Sequence, residues 1–303
     1  MKRLLFLLLA LCLIPSLAAC HLPEKKDGLH IVTTSFPLYD FAKNVVGEEG
    51  TVTLLLTPGE ESHSYEPIFK DILDIRSADL FLYIGGQSDA WVERLISDDT
   101  DTVFLSFMDK IEPIEIEHDH EGHNEVHYDE HIWTSPKNAS LMVKAIADAV
   151  QSLLPSQAAV FMQNEAAYKK ELSALDAAFE AVARTKTKDY FVVGDRFPFA
   201  YLAAAYSLDY RAAFSYCSDD SEVSAATIAY LIEEVRNGDV PIVFATELST
   251  GRVADTICAS TSAVRRTLHS LSNLSRSEFD AGESYLSLMT KNVAVLSEAL
   301  GCS

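Results

Sequence analysis

Residues 29–47 read LHIVTTSFPLYDFAKNVVG, and this stretch sets the architecture. Leu29–Thr34 is a short β-branched, apolar run bounded by polar residues, which predicts a strand. Pro37–Val46 carries apolar residues at helical spacing, opens on proline and stops at Gly47, which predicts a helix. A strand followed directly by a helix is half of a βαβ unit, and the pattern continues outward. Thr51–Leu56 predicts a second strand, Pro67–Ser77 a helix, Asp79–Ile84 a strand ending in Gly85-Gly86, Ala90–Ile96 a helix and Thr102–Phe107 a strand. Such alternation predicts a parallel sheet with helices on its faces.

The second half has the same rhythm. Tyr190–Val193, Tyr210–Phe214, Pro241–Ala245 and Val264–His269 read as strands. Pro198–Ser207, Val223–Asn237, Gly251–Ser260 and Glu283–Leu300 read as helices. Between the halves, Leu141–Leu153 is amphipathic, and after Pro155 a longer helical run reaches about Ala183. Its Phe161, Tyr168, Leu172, Leu175, Phe179 and Val182 recur at threes, fours and sevens, one stripe of a helix. At ~1.5 Å per residue this helix is roughly 40 Å long, enough to run the length of a two-lobed body. A long surface helix on a single larger domain is the alternative.

The chain has 303 residues, 48% apolar and 23% charged, the composition of a folded body. Its first twenty residues, MKRLLFLLLALCLIPSLAAC, are two cations, an apolar run and small residues, which read as a signal peptide. The end of that run, Leu17-Ala18-Ala19-Cys20, resembles the lipobox of bacterial lipoproteins and implies cleavage before Cys20 and a lipid on its sulfur. The expected division is a leader over 1–19, a lipidated tether over 20–28, an N-terminal lobe over 29–154, a linking helix over 155–186 and a C-terminal lobe over 187–303. A formal charge of −21 argues against a nucleic-acid partner, whose phosphates demand a basic face, and suits a cationic ligand. After Cys20 three cysteines remain, Cys217, Cys258 and Cys302. Export permits one internal disulfide: Cys258 with Cys302 would staple the last helix, and three reduced thiols are the alternative.

In an open parallel sheet, ligands bind at the carboxyl ends of strands. The loops there hold His63 in TPGEESHSYEP, His131 in DEHIWTSP, Asp195 in GDRFPFAYL, Glu247 in TEL, and His269. The two lobes would thus direct imidazoles and carboxylates to one cleft, a zinc-type donor set. A loop histidine by itself is more often only solvated; the shared placement carries the reading. Glu60 and Glu61 read as solvated surface charge.

These segments resemble those of the metal-binding lipoproteins of zinc and manganese ABC importers. GEESHSYEP (59–67) and DEHIWTSPKNA (129–139) match the two histidine motifs of that family. ADLFLYIGG (78–86) with Trp91 matches another segment, and GESYLSLMTKNVAVLSEAL (282–300) its closing helix. The resemblance covers nearly the whole chain after the leader. It implies an α/β fold of two lobes, each a parallel sheet flanked by helices, joined by one long rigid helix, with a transition metal in the cleft. Carried over by motif, His63 and His131 are ligands, and His269 stands where the family places its last ligand, usually an aspartate. His118, His120, His123 and His127 belong to a preceding His- and acid-rich loop, the family's metal collector or simply a polar loop. One departure is Arg196, which stands where the family has His or Glu and cannot ligate. Asp195 ligates if the loop shifts by one residue; otherwise it pairs with Arg196 or sits near the N-terminus of the next helix. Glu247 accepts a hydrogen bond from a ligand or from Arg196, or itself ligates.

The function expected is a lipid-anchored, extracytoplasmic, monomeric solute-binding protein that captures Zn2+, with Mn2+ as the other candidate ion, and passes it to an ABC permease. A set of three imidazoles with one or two carboxylates favours zinc. A metallohydrolase is the enzyme alternative, but neither HExxH nor GxSxG is present. A surface adhesin is the third reading, and no residue pattern selects it.

Overall fold

The computed structural model describes residues 28–96, 100–116, 127–214 and 223–302. The leader, Cys20 and its tether lie outside these residues. Among the described residues no helix is long and apolar enough to cross a membrane.

The N-terminal sheet has four strands: β1 (Leu29–Thr33), β2 (Gly50–Leu54), β3 (Leu80–Tyr83) and β4 (Val103–Ser106). They lie in the order β2-β1-β3-β4 and all pair parallel. The C-terminal sheet repeats the plan with β7 (Tyr190–Val193), β8 (Asp209–Ala212), β9 (Ile242–Ala245) and β10 (Val264–Thr267), ordered β10-β9-β7-β8 and again all parallel. A short antiparallel ribbon of β5 (Glu115–Ile116) and β6 (His127–Tyr128) brackets residues 117–126. Nothing in the residue pattern announced this ribbon, whose two-residue strands carry no periodicity.

The helices are α1 (Phe36–Val46), α2 (Phe69–Arg76), α3 (Pro136–Leu153), α4 (Ala158–Thr185), α5 (Ala200–Tyr206), α6 (Ala225–Asn237), α7 (Arg252–Ala259), α8 (Arg276–Asp280) and α9 (Tyr285–Ala299). Helix α3 starts five residues before the expected Leu141. Ser135 caps it by accepting from Asn138 N, and Pro136 occupies the first turn, the arrangement that a Ser-Pro pair favours. The helix expected over 90–96 is only a 3-10 segment, Ala90–Arg94, whose Trp91 and Val92 fill the space under the sheet. Strand β10 ends at Thr267, so His269 stands two residues beyond it.

Helix α4 spans 28 residues, about 42 Å at ~1.5 Å per residue. Its buried side chains are Phe161, Tyr168, Leu172, Leu175, Phe179 and Val182, the stripe expected from spacing. They belong to one continuous apolar cluster that runs from Leu29 and Phe41 in the first sheet layer to Phe191, Phe244 and Leu300 in the second. The two lobes therefore share a core instead of meeting through a flexible strand. Gly194 permits the close packing of β7 on α7, because a Cβ there would sit 2.6 Å from Ala254 Cα.

Cys258 and Cys302 are both free, which corrects the expected disulfide. Cys258 packs on the smaller C-terminal core and Cys302 on the shared one. The end of α9 is tied down by its backbone: Leu300 O accepts from Thr187 N at 2.9 Å and from Lys188 N at 3.1 Å. Cys217 lies outside the described residues.

Polar bonds cross between the lobes at the cleft. Trp133 Nε1 donates to Ser270 O at 2.8 Å, and Tyr285 OH to Trp133 O at 2.7 Å. Buried Asn273 donates through Nδ2 to Thr57 O at 2.7 Å and Glu60 O at 2.9 Å, while Gly59 N donates to Leu274 O. Asn273 thus pins the loop that carries His63. Asn273→Ala removes two of these bonds. At roughly 0.5–1.5 kcal/mol each it should cost about 1–3 kcal/mol, seen as a lower urea midpoint with unchanged slope; an unchanged midpoint would show that the clamp contributes nothing.

Asp40 lies on the buried face of α1, where Tyr168 OH donates to its Oδ2 at 2.7 Å. Burial raises its pKa above the ordinary 3.8 despite that bond. Above pH 3.8 the folded state holds a proton that the unfolded chain has lost, so stability should fall as pH rises through this window and level off above the raised midpoint. Asp40→Asn should flatten that slope in chemical denaturation between pH 4 and neutrality, and an identical slope in the variant would refute it.

Candidate metal centre

The loops after β2, β3, β7, β9 and β10 all leave the carboxyl ends of parallel strands, so side chains on them gather along one edge of each sheet. His63 lies on a 3-10 turn, Ser62–Ser64, after β2. His131 precedes another, Ile132–Thr134, ahead of α3. The rings of His63 and His131 lie 5.4 Å apart, edge to face, and both line a hollow of about 40 Å³. That space is on the scale of a single water or ion.

Each imidazole is oriented through Nδ1. His63 Nδ1 lies 3.1 Å from Ser88 Oγ, and His131 Nδ1 lies 3.1 Å from Asp129 Oδ1. The same Asp129 oxygen accepts His131 N at 2.7 Å, which closes a tight turn around the ring. With Nδ1 occupied, Nε2 is the nitrogen that offers a lone pair. His63 Nε2 is buried with no hydrogen-bond partner among the described residues. Asp89 lines the same hollow. It accepts from Ile84 N at 2.8 Å and Gly85 N at 3.1 Å, and burial pushes its pKa up to about 6.

The other candidates are placed differently. His269 is 9% exposed, and its Nδ1 lies 3.7 Å from Glu278 Oε1. Its backbone is held on both sides by Asn292, which accepts from His269 N at 2.8 Å and donates to His269 O at 2.7 Å. Burial lowers its pKa below the ordinary 6.5, which keeps the ring neutral and able to donate a lone pair at neutral pH. Asp195 is engaged within its own lobe: Oδ1 accepts from Arg196 N at 2.9 Å, and Oδ2 from Thr246 N and Thr246 Oγ1 at 3.1 Å each. Glu247 accepts from Ser270 N, Ser270 Oγ and Leu271 N, all at 2.8 Å, and burial pushes its pKa up to about 7. Asp195, Arg196 and Glu247 line a larger cleft of about 410 Å³, which shares Ser62 and Ser272 with the histidine hollow.

The structure thus joins His63 to His131. Among the described residues no group of three His, Cys, Asp or Glu stands close enough to hold a metal ion, so His269, Asp195 and Glu247 are not drawn into one set with that pair. His118, His120 and His123 lie outside the described residues, and His127 is placed by its backbone in β6. Sequence reasoning did not find Ser88 and Asn292. Each is a polar residue one turn or one helix away from a histidine, and only folding places it there.

Comparison with known proteins agrees with the arrangement of fold and cleft. Residues 31–299 match the family model described as zinc-uptake complex component A, periplasmic. The zinc-binding lipoprotein AdcA of Streptococcus pneumoniae is 35% identical over 311 residues, covering 98% of this chain and 61% of AdcA. This chain therefore spans about three-fifths of that relative's length. The high-affinity zinc uptake system protein ZnuA of Bacillus subtilis is 32% identical over 287 residues, covering 91% of this chain and 89% of ZnuA. The Zn(II)-bound ZnuA-like domain of S. pneumoniae AdcA superposes with a TM-score of 0.76 at 31% identity, over 90% of this chain and 99% of that domain. With two parallel sheets, a long connecting helix and a family match over nearly all the described residues, the chain belongs to the zinc-uptake complex component A family.

Proposed function

We propose that this protein is an extracytoplasmic solute-binding protein that captures zinc in its inter-lobe cleft and delivers it to an ABC permease. The observation that carries this reading is the pair of buried imidazoles: both are fixed through Nδ1, and they share a hollow of about 40 Å³. Two neutral imidazoles are borderline donors that suit zinc better than manganese, which prefers oxygen. A hollow of this size suits an ion, which supports binding rather than catalysis. The leader ending in Cys20 supports a lipid anchor on the outer face of the membrane. The chain divides on this reading into lobes 29–154 and 187–303 about the linking helix 155–186 and works as a monomer.

His63 and His131 form the nucleus of the site, and His269 is the donor from the C-terminal lobe. Asp195 and Glu247 brace the loops beside it. His118, His120, His123 and His127 feed the site without forming it. Zinc at a thousandfold excess over Kd should raise stability by ~4 kcal/mol. His63→Ala and His131→Ala should each lose most of that thermal shift, whereas deletion of residues 118–127 should retain one tight ion per chain. A deletion that abolishes tight binding while His131→Ala retains it would place the site in the loop. His269→Ala with an unchanged shift would remove His269 from the site.

Selectivity and acid sensitivity follow from the donor chemistry. In a mixed-metal titration zinc should outcompete manganese by orders of magnitude. Zinc affinity should fall steeply below about pH 6, because each imidazole must lose its proton before it binds. A pH-independent affinity, or equal competition by manganese, would mean that carboxylates hold the ion.

A further inference from the structure

The turn after β3, Gly85-Gly86-Gln87-Ser88, is held by carboxylates at both ends. Asp89 Oδ2 accepts from the amides of Ile84 and Gly85. Glu130 takes the next two amides: Gln87 N donates to its Oε1, and Ser88 N donates to Oε1 at 3.1 Å and to Oε2 at 3.3 Å. Gly86 has φ +88°, and a Cβ there would lie 2.7 Å from Glu130 Oε1. Only glycine allows the carboxylate to approach the backbone this closely. From the end of the clamped turn, Ser88 Oγ reaches His63 Nδ1 at 3.1 Å.

Neighbouring residues thus treat the two imidazoles differently. His131 receives its orienting carboxylate from Asp129 in its own segment. Among the described residues His63 has no hydrogen bond to a carboxylate of its own loop. Glu61 lines the larger cleft, while Glu60 offers its backbone carbonyl to Asn273. Its orientation comes instead from a hydroxyl on another loop, and that loop is fixed by the residue immediately before His131.

We propose that Ser88 and Glu130 are positioning residues of the ion site: Glu130 fixes the 85–88 turn, and Ser88 Oγ accepts the proton of His63 Nδ1 so that Nε2 presents its lone pair to the ion. One consequence is coupling, since the segment that carries His131 also sets the tautomer of His63. An outer hydroxyl with this role is worth about 10–100-fold in metal affinity. The inference rests on His63 being a ligand, and the experiment separates the two claims.

Zinc affinity is measured by competition with a chromophoric chelator for wild type, Ser88→Ala, Ser88→Thr, Glu130→Ala and His63→Ala. The His63 tautomer is read in the metal-free proteins from long-range 15N–1H NMR correlations. Ser88→Ala should weaken zinc binding about tenfold or more and populate both tautomers of His63, with the thermal midpoint of the metal-free protein unchanged. Ser88→Thr should keep wild-type affinity and the Nδ1–H tautomer. Glu130→Ala should reproduce the tautomer mixing without touching His63 directly. If His63→Ala abolishes tight binding while Ser88→Ala and Glu130→Ala leave both affinity and tautomer as in wild type, the inference is overturned and the ligand reading stands. Affinity lost without any change in tautomer also overturns it. If His63→Ala binds zinc normally, the ligand reading itself fails.

Discussion

The continuous apolar core threaded by α4 is the constraint on which the rest depends. Its six buried side chains belong to one apolar cluster that includes residues of both lobes, and the helix packs on α1, α3 and α9, so the main core of neither lobe is complete without it. Truncating one of its phenylalanines would cost roughly 3–5 kcal/mol by the behaviour of buried aromatics. A helix that lays one buried stripe into a core shared by both lobes fixes where the carboxyl edges of the two sheets lie. The cleft is therefore set by packing far from it, and the loops at its rim need only supply side chains.

On that frame, the polar bonds at the rim do a second job. Trp133 donates to Ser270 O, Tyr285 to Trp133 O and Asn273 to Thr57 O and Glu60 O, so the histidine loops of one lobe are tied to loops of the other. Each is a buried donor that would be costly to leave unmade. Trp133 in the His131 segment and Tyr285 in the closing helix hold the interface, and Asn292 pairs with both backbone groups of His269.

Burial shapes the carboxylates that line the two hollows. Asp89 and Glu247 are buried carboxylates whose pKa values are pushed up to about 6 and about 7 by loss of solvent, although backbone amides favour their charged forms. A nearby cation would lower both values and favour the charged forms. The overall charge of −21 attracts cations at long range without choosing among them. On the proposed reading, choice comes from the imidazoles.

The sequence by itself determined the alternation of strand and helix, the stripe of α4 and the strand-end placement of His63 and His131. These depend on local periodicity and on the rule that parallel strands present their ligands at their carboxyl ends. It placed strand and helix boundaries within a few residues and misjudged the start of α3, where the Ser135-Pro136 cap outweighed hydrophobic spacing. Only the tertiary structure decided which donors meet. The pairing of His63 with Ser88 spans 25 residues, and that of Asn273 with Thr57 spans 216. The free state of Cys258 and Cys302, and the engagement of Asp195 with Thr246 and of Glu247 with Ser270 within the C-terminal lobe, likewise depend on how layers pack. Such contacts join residues distant in the chain through side-chain directions, and no periodicity in the sequence records those.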